Sequence, residues 1–333
     1  MGLLESVITA TRFKDTVFYK ENSDLQARYD ALKRLVAEFP NNEKLRFEAF
    51  IIKKGLDGEN EIAYQLKKSS IGMYVLRDVK VKFEDLTAQI DCIIITPLYT
   101  YYIECKNLIG NITVNDRGDF IREFTINGRT VKKGFYSPLR QVEAQREVIR
   151  KIWERNTSTI KKLIASKDFN NYRRVLVVAA NHDTVLDTSR APKDVKYKVL
   201  RADSLIRQIE YDLSHKPSDE LAIRTRKDME RMAQWYIDLS VKDEIDFYDY
   251  YKNKFCNGAI PQKRDDLRER LVKLRKDRSI KMNIPPYYVF SNDELEALIK
   301  MRPKTILELE RSNILSPIKI KTHGREIIDA INR

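Results

Sequence analysis

Cysteine and histidine are scarce in this chain of 333 residues, and the few that occur lie far apart. The six positions are Cys92, Cys105, Cys256, His182, His215 and His323. Structural zinc sites need closely spaced Cys and His ligands, so this distribution argues against one. An odd cysteine count without a secretory signal is typical of a reducing compartment, and we expect an intracellular, cytoplasmic protein.

Long apolar runs and glycine-rich loops are also missing from the sequence. No apolar run approaches the ~20 residues that a membrane-spanning helix needs, so we expect no contact with a membrane. The ten glycines form no phosphate-binding loop, which argues against ATP hydrolysis by this chain. With only ten prolines as well, the composition favours an ordered, helix-rich protein.

Positive charge, in contrast, is in excess. The chain has 62 Lys and Arg against 49 Asp and Glu, a formal net charge of +13. Residues 262–333 alone have 17 basic against 11 acidic residues. A surplus of this size indicates a polyanionic partner, and we expect nucleic acid rather than a membrane surface.

The most informative local pattern is a predicted β-hairpin over residues 89–106. Two runs of strand-forming residues flank a four-residue turn, which predicts two antiparallel strands. In the register that this turn gives, Asp91 lies opposite Glu104 and Gln89 lies opposite Lys106. The two-residue periodicity of strands then places all four polar side chains on one face.

Two opposed carboxylates repel each other and destabilise a sheet. A divalent cation held between Asp91 and Glu104 would remove that repulsion. The other interpretation is an amphipathic hairpin whose polar face is only solvated, and the spacing by itself does not separate the two.

The same residue types suit phosphodiester hydrolysis assisted by Mg²⁺ or Mn²⁺. These cations prefer oxygen ligands, which the carboxylates of Asp91 and Glu104 and the backbone carbonyl of Cys105 would supply. Lys106 shares a face with Glu104, where an ammonium group can orient water or stabilise developing negative charge.

Two predicted helices add further candidates. A helix over about 59–68, with Asp57 as its cap, carries Glu59 at the edge of its apolar face, where this carboxylate would complete the metal shell. A second helix begins at the cap Ser137 and runs to about residue 155. Its first turns carry Gln141, which would hold a phosphate or the attacking water.

These residues carry a resemblance to a known family. The Asp, Glu-x-Lys pattern on a hairpin resembles the PD-(D/E)xK nuclease fold, and residues 50–215 resemble the nuclease-related domain (NERD). That family usually reads Gly-Glu, Ile-Asp, Glu-x-Lys-Asn and Asn-Pro-x-x-Gln in this order. The matching motifs here are Gly58-Glu59 with Ile62-Ala63 and Leu66, Gln89-Ile90-Asp91, Ile103-Glu104-Cys105-Lys106-Asn107 with Gly110, and Ser137-Pro138-Leu139-Arg140-Gln141.

The resemblance implies an α/β fold with a mixed, restriction-endonuclease-like sheet. It also implies that the nuclease residues are Glu59, Asp91, Glu104 and Lys106. Glu61, two positions away on a different side of the same helix, is a substitute candidate for Glu59. The chain departs from the family pattern at Ser137, where Asn is common, and at Cys92, where His is frequent.

The tail resembles a second family. Residues 265–333 are similar to the HRDC domain, the small helical module of RecQ-type helicases and ribonuclease D. The most distinctive stretch is Pro285-Pro286-Tyr287-Tyr288-Val289-Phe290-Ser291, followed by Arg302-Pro303. The resemblance implies an auxiliary module that binds nucleic acid or another protein.

One departure bears on which of these roles applies. Where many HRDC domains carry a Gly-Val-Gly turn that can approach phosphates, this chain has the segment 313–317. If the module does contact phosphates, the expected residues are Lys319, Lys321 and Arg325, with Arg140 as a further candidate in the first domain. Contact with another protein is the alternative.

We therefore expect four regions: N-terminal helices over 1–50, a nuclease-like domain over 51–215, a helical linker over 216–261, and a separate all-α domain over 262–333. The function that these regions predict is cleavage of DNA by a Mg²⁺- or Mn²⁺-dependent nuclease. The alternatives are an RNA-directed nuclease and a nucleic-acid-binding or regulatory protein whose nuclease-like core no longer cuts. The sequence leaves the oligomeric state open.

Overall fold

A computed structural model gives the fold. It describes residues 13–126, 128–156, 169–215, 223–241, 245–256, 266–282, 284 and 286–332. Within these ranges, no helix is both long enough and apolar enough to cross a lipid bilayer.

Ten strands occur in the described residues and form two mixed sheets. They are β1 Thr16–Lys20, β2 Met73–Phe83, β3 Leu86–Ile95, β4 Thr100–Lys106, β5 Asn111–Val114, β6 Phe120–Ile126, β7 Arg129–Phe135, β8 Arg173–Ala179, β9 Leu186–Asp187 and β10 Val199–Arg201. The larger sheet has the order β1-β2-β3-β4-β8-β10, and the smaller one has the order β7-β6-β5-β9. Strands β2, β3 and β4 are antiparallel neighbours, whereas β8 is parallel to β4.

The helices are α1 Asp24–Glu38, α2 Glu43–Lys67, α3 Pro138–Asn156, α4 Phe169–Tyr172, α5 Lys193–Lys196, α6 Leu205–Ser214, α7 Arg226–Leu239, α8 Phe247–Cys256, α9 Asp266–Met282, α10 Pro286–Val289, α11 Asn292–Met301, α12 Ile306–Arg311 and α13 Pro317–Asn332. A short 3₁₀ helix, Ala202–Ser204, precedes α6.

By its internal contacts the chain divides into two compact units: Met1–Val36 with Asn42–Asn257, and Ala37–Asn41 with Gly258–Arg333. The expected fold class, a mixed α/β core with N-terminal helices and a separate all-α domain, is confirmed. The range 1–50 also contributes a strand, β1; its first 12 residues lie outside the described part. Helix α7, inside the range expected to be a linker, packs against the larger sheet.

Helices cover both faces of the larger sheet. On one face, Val142 and Ile149 of α3 and Ala233 of α7 pack against the strands. On the other face, the apolar stripe of α2 and the buried side of α6 form a second cluster, which includes Ile62 and Leu205. Burial on both sides explains why the central strands read as nearly continuous apolar runs.

Helix α2 differs from the expected helix over 59–68. It begins at Glu43 and runs without a break through Gly55 and Gly58. Its cap is Asn42, whose side-chain oxygen accepts a hydrogen bond from the Leu45 backbone N–H at 3.1 Å. The predicted cap, Asp57, lies inside the helix because tertiary packing of the apolar face overrides the local preference of the two glycines for a turn.

The all-α unit has its own core, formed by residues such as Leu271, Phe290, Leu298 and Ile327. Helix α11 begins with a capping box in which Ser291 and Glu294 exchange side-chain and backbone hydrogen bonds. The capping box fixes the start of α11, and the shared core gives the C-terminal helices a common apolar centre.

Candidate active site

The register of the central hairpin is confirmed by four pairs, from Ile95 opposite Thr100 to Cys92 opposite Ile103. The next two positions are Asp91 and Glu104. There the backbone pairing ends, and the Asp91 carboxylate takes its place: Oδ2 of Asp91 accepts the Cys105 backbone N–H at 2.8 Å. The two acids therefore lie side by side where the strands begin to separate.

The expectation that four polar side chains share one face is wrong. Ile90 and Ile93 belong to the same hydrophobic cluster, although strict alternation would place them on opposite faces. The interruption lies at Asp91 and at its neighbour Asp78 in β2, which has a positive φ of 53°. Gln89 is consequently turned towards Asp78, to which its side-chain nitrogen donates at 2.6 Å, and not towards Lys106.

Glu104 lies at the centre of a hydrogen-bonded group and is only 2% exposed. Lys106 Nζ donates to Glu104 Oε1 and lies 3.3 Å from Gln141 Oε1. Gln145 Nε2 donates to Glu104 Oε2 at 3.4 Å and to the Gln89 carbonyl at 2.6 Å. Strand β4 and helix α3 together fix the orientation of the carboxylate and of the lysine.

Glu59 is buried and lines a small crevice together with Asp91. Arg77 of β2 donates to Glu59 Oε2 at 3.2 Å. Burial raises the pKa of the Glu59 carboxyl, although the Ser23 hydroxyl and the Arg77 guanidinium favour the charged form. The predicted substitute, Glu61, points elsewhere: it accepts from Gln65 at 2.7 Å and lies 3.1 Å from His182 Nε2.

Gly58 explains how helix α2 comes so close to strand β4. A Cβ atom at this position would lie 2.7 Å from the Asn107 Cβ and 2.9 Å from the Cys105 Sγ, which is closer than atoms can pack. Asn107 also donates from its side chain to the Lys54 carbonyl at 2.7 Å. The glycine and the asparagine therefore join the helix that carries Glu59 to the strand that carries Glu104.

Burial and mutual repulsion disfavour the charged forms of the two central acids. The pKa of Asp91 is raised well above its ordinary value, first by burial and then by the neighbouring Glu104 charge. Burial also raises the pKa of Glu104, although Lys106 favours its ionised form. A cation between the two carboxylates would reverse this balance because it stabilises both in the charged state.

The donor atoms fit a hard divalent cation in type. Asp91 and Glu104 supply carboxylate oxygens, and the Gln145 Oε1 atom nearby is buried without a hydrogen-bond partner. Across the described ranges, however, no group of three or more His, Cys, Asp and Glu side chains is arranged to hold a metal ion. Each acid is instead bonded to a protein donor, and in the case of Glu59 this donor is Arg77.

Three residues of the site were missed by sequence reasoning: Arg77, Asp78 and Gln145. The first two belong to β2, whose sequence contains no recognised motif. Arg77 contacts Glu59 of α2, and Asp78 contacts Gln89 of β3 and the Asp24 backbone of α1, so both sets of contacts are tertiary. Gln145 follows Gln141 by one helical turn, a spacing that already places both amides on one face of α3. That spacing was the one available signal.

The remaining candidates lie further out. Arg140 is exposed in the first turn of α3, where its backbone N–H donates to the Ser137 hydroxyl at 3.3 Å. In the all-α unit, Lys319 forms an ion pair with Glu294 at 2.7 Å, whereas Lys321 and Arg325 are exposed beside a groove.

In the turn that precedes these residues, Asn313 has a φ of 52°. Asparagine tolerates this left-handed conformation better than most side chains. The segment 313–317 can therefore form a turn without the glycines that many HRDC domains carry there.

The fold and the site together define a nuclease-like α/β domain accompanied by a helical module. Comparison with family models agrees: residues 54–178 match the nuclease-related domain and residues 264–331 match the HRDC domain. The chain thus carries a nuclease-related domain followed by an HRDC domain. No curated protein and no solved structure matches it.

Proposed function

We propose that the chain is a nuclease that hydrolyses phosphodiester bonds of DNA with the help of Mg²⁺ or Mn²⁺. The observation that carries the proposal is the buried pair of Asp91 and Glu104, with Lys106 between Glu104 and Gln141. Burying two groups of like charge side by side reduces folding stability, and such groups cluster at sites that bind a ligand or catalyse a reaction.

Asp91 and Glu104 would hold the cation, with Glu59 joining them through a water molecule, and the Cys105 carbonyl is the predicted backbone ligand. A bound Mg²⁺ or Mn²⁺ supplies charge neutralisation at the phosphate and lowers the pKa of a coordinated water. Lys106 carries the positive charge that stabilises the developing negative charge on the phosphate. Gln141 and Gln145 keep Lys106 and Glu104 in position through their side-chain amides.

A groove beside these residues offers a path for the substrate. It has a volume of about 620 Å³ and is lined by Asp91 and Gln141 at one end and by Lys151 further along α3. Tyr136, whose surface is 70% exposed, also borders it. A cation and an exposed aromatic ring suit the backbone and the bases of a nucleic-acid strand.

The HRDC domain would assist by binding nucleic acid through Lys321 and Arg325. Both lie beside a groove of about 570 Å³ on the all-α unit. Lys319 is the weakest of the three predicted contacts, because its ammonium group is already paired with Glu294.

The test is cleavage of linear, circular, single-stranded and branched DNA, and of RNA, with and without Mg²⁺ or Mn²⁺. We expect metal-dependent cleavage by the wild type and a loss on the order of 10²–10³-fold or more in Lys106→Ala, as for other removed electrostatic stabilisers. Asp91→Asn and Glu59→Gln should also lose activity. Glu61→Gln is the matched control, because this acid belongs to the same helix but is bonded away from the site.

A second candidate is a nucleic-acid-binding protein that does not cut. The ion pair between Arg77 and Glu59 favours it, since an acid bonded to an arginine is less available to a metal. Metal titration separates the two: a cation that binds only the folded state at 100 times its Kd stabilises it by about 2.7 kcal/mol. An unchanged melting temperature together with intact DNA would favour the binding protein.

A further inference from the structure

A second pocket lies in the first unit, at the other end of the strand that carries Glu104. Its volume is about 440 Å³, and residues from the end of α3, the start of β8 and helix α7 line it. Arg224, one of the lining residues, contacts Thr100 at the start of β4, about 13 Å along the strand from Glu104 at ~3.3 Å per residue. None of the residues assigned to the proposed nuclease site lines this pocket.

Two guanidinium groups in this pocket have no carboxylate partner among the residues that the structure describes. Arg224 donates to the Thr96 carbonyl at 3.3 Å and to the Thr100 hydroxyl at 3.2 Å, and both acceptors are uncharged. The Nε atom of Arg173 is buried and has no hydrogen-bond partner. Among the described residues, neither arginine forms an ion pair with a carboxylate. Burial, followed by repulsion from Arg173, lowers the pKa of Arg224 to about 10.

The pocket also has an acid, but this acid is already engaged. Asp228 accepts hydrogen bonds from Thr225 and is paired with Arg231. These contacts lower the pKa of Asp228 to about 2, so it stays charged and balances Arg231 alone. The pocket therefore keeps an excess of positive charge that an anion would neutralise.

Three aromatic residues, Trp153, Trp235 and Tyr236, form a further part of the wall. The chain has two tryptophans, Trp153 and Trp235. Both line the pocket and are partly exposed. Guanidinium groups bind phosphate oxygens in a bidentate manner, and aromatic faces stack on nucleobases. The volume lies within the ~300–1,000 Å³ that is common for small-ligand sites.

We propose that this pocket binds a nucleoside phosphate, with its phosphate on Arg173 and Arg224 and its base against an indole ring. The proposal does not depend on cleavage by the Asp91–Glu104 site. The same chemistry is offered by a free nucleotide and by the phosphorylated end of a nucleic-acid strand, so the experiment includes both.

Because both tryptophans line the pocket, the intrinsic fluorescence of the full-length chain reports on it directly. We expect a saturable change in tryptophan emission when adenosine 5′-monophosphate is added, and much weaker binding of adenosine or inorganic phosphate alone. Trp153→Phe and Trp235→Phe show which indole responds. Tighter binding of a 5′-phosphorylated oligonucleotide identifies a strand end as the ligand, and tighter binding of the monophosphate identifies a free nucleotide.

Arg173→Gln should weaken binding on the order of 10-fold or more, the effect of losing one charge-assisted hydrogen bond. Arg224→Lys keeps the charge in its buried position and serves as a second variant with less risk to folding. Arg190→Gln, an exposed arginine elsewhere in the same unit, is the matched control. The proposal is overturned if emission does not change, if inorganic phosphate binds as well as the nucleotide, or if Arg173→Gln binds with wild-type affinity.

Discussion

Two glutamates, one in each unit, occupy opposite electrostatic environments. Glu104 of the nuclease-related domain is buried beside Asp91, and burial raises its pKa. Glu296 of the HRDC domain is exposed and paired with Arg268. The hydrogen bonds from Arg268 lower the pKa of the Glu296 carboxyl. Burying Glu104 beside Asp91 costs folding stability, whereas the exposed Glu296–Arg268 pair contributes a little. Unfavourable buried charge therefore points to the candidate active site, and a favourable surface ion pair does not.

Each domain contains a tightly packed helical glycine, Gly58 in the first and Gly324 in the second, so the tightness of packing inside the two domains can be compared. We expect Gly58→Ala to destabilise the protein by about 1–3 kcal/mol, the usual cost of overpacking, because the new Cβ would overlap the Cys105 Sγ atom of β4 and the Cβ atom of Asn107, which follows β4. At Gly324 in α13 the corresponding contacts are longer, at 3.2 Å to the Ile306 Cδ1 and Ile320 Cγ2 atoms, so these neighbours have to shift by only a few tenths of an ångström. Gly324→Ala should therefore cost less, as measured by chemical denaturation.

Gly55→Ala is a control in the same helix as Gly58. Among the described residues its Cβ would meet the Leu25 Cδ1 atom alone, at 3.2 Å, and alanine favours the helix by about 1 kcal/mol. If Gly58→Ala is as stable as Gly55→Ala, then the close approach of α2 to β4 does not depend on this glycine. A selective loss of cleavage in Gly58→Ala would further link this contact to the position of Glu59.

The pH dependence of stability should have opposite signs in the two domains. Raised carboxyl pKa values mean that the folded nuclease-related domain binds protons more tightly than the unfolded chain, so these groups favour folding as the pH falls. Asp91→Asn should be more stable than the wild type at pH 7 by roughly 0.2–1 kcal/mol, the range for directly opposed side chains. This advantage should shrink as the pH falls through the raised pKa of Asp91. A variant less stable than the wild type at pH 7 contradicts the prediction.

His323 gives the opposite case in the HRDC domain. It is 4% exposed, and burial together with the charges of Arg278 and Lys319 lowers its pKa. Here the unfolded chain binds the proton more tightly, so stability is complete above the ordinary histidine pKa near 6.5 and is lost as the pH falls below it. His323→Phe should remove this loss. The measurement is hydrogen exchange of buried amides, followed separately in each domain between pH 5 and 7, about the range in which His titrates. It gives the direction in which the stability of each domain changes with pH.

The smallest effect concerns the exposed charges of the HRDC domain. Lys321→Ala with Arg325→Ala should weaken DNA binding and reduce its salt dependence, by a slope of about 1 for each lost phosphate contact. Lys319→Ala should change the slope less, because Lys319 is held by Glu294. Equal slopes in all variants would indicate that this domain contacts proteins rather than nucleic acid.

Local signals in the sequence were sufficient for several elements. The four-residue turn gave the register of the β3–β4 hairpin, and Ser137-Pro138 gave the start of α3. The same approach failed at α2, where Gly55 and Gly58 indicated a break and the packed helix continues. It also missed the positive φ of Asp78, because that conformation depends on contacts of its side chain with Asp24 and Gln89.

The sequence by itself determined the hairpin register and the proximity of Asp91 to Glu104, because a short turn fixes such contacts locally. It also indicated the fold class, through the resemblance of its motifs to a known family. Only the tertiary structure decided that Glu59 and not Glu61 lies beside Asp91, and that Arg77 pairs with it. The physical reason is that the contact of Gly58 with β4 sets the rotation of α2. The opposed acids at the end of the hairpin could thus be predicted from the sequence. The buried surroundings that raise their pKa values could not.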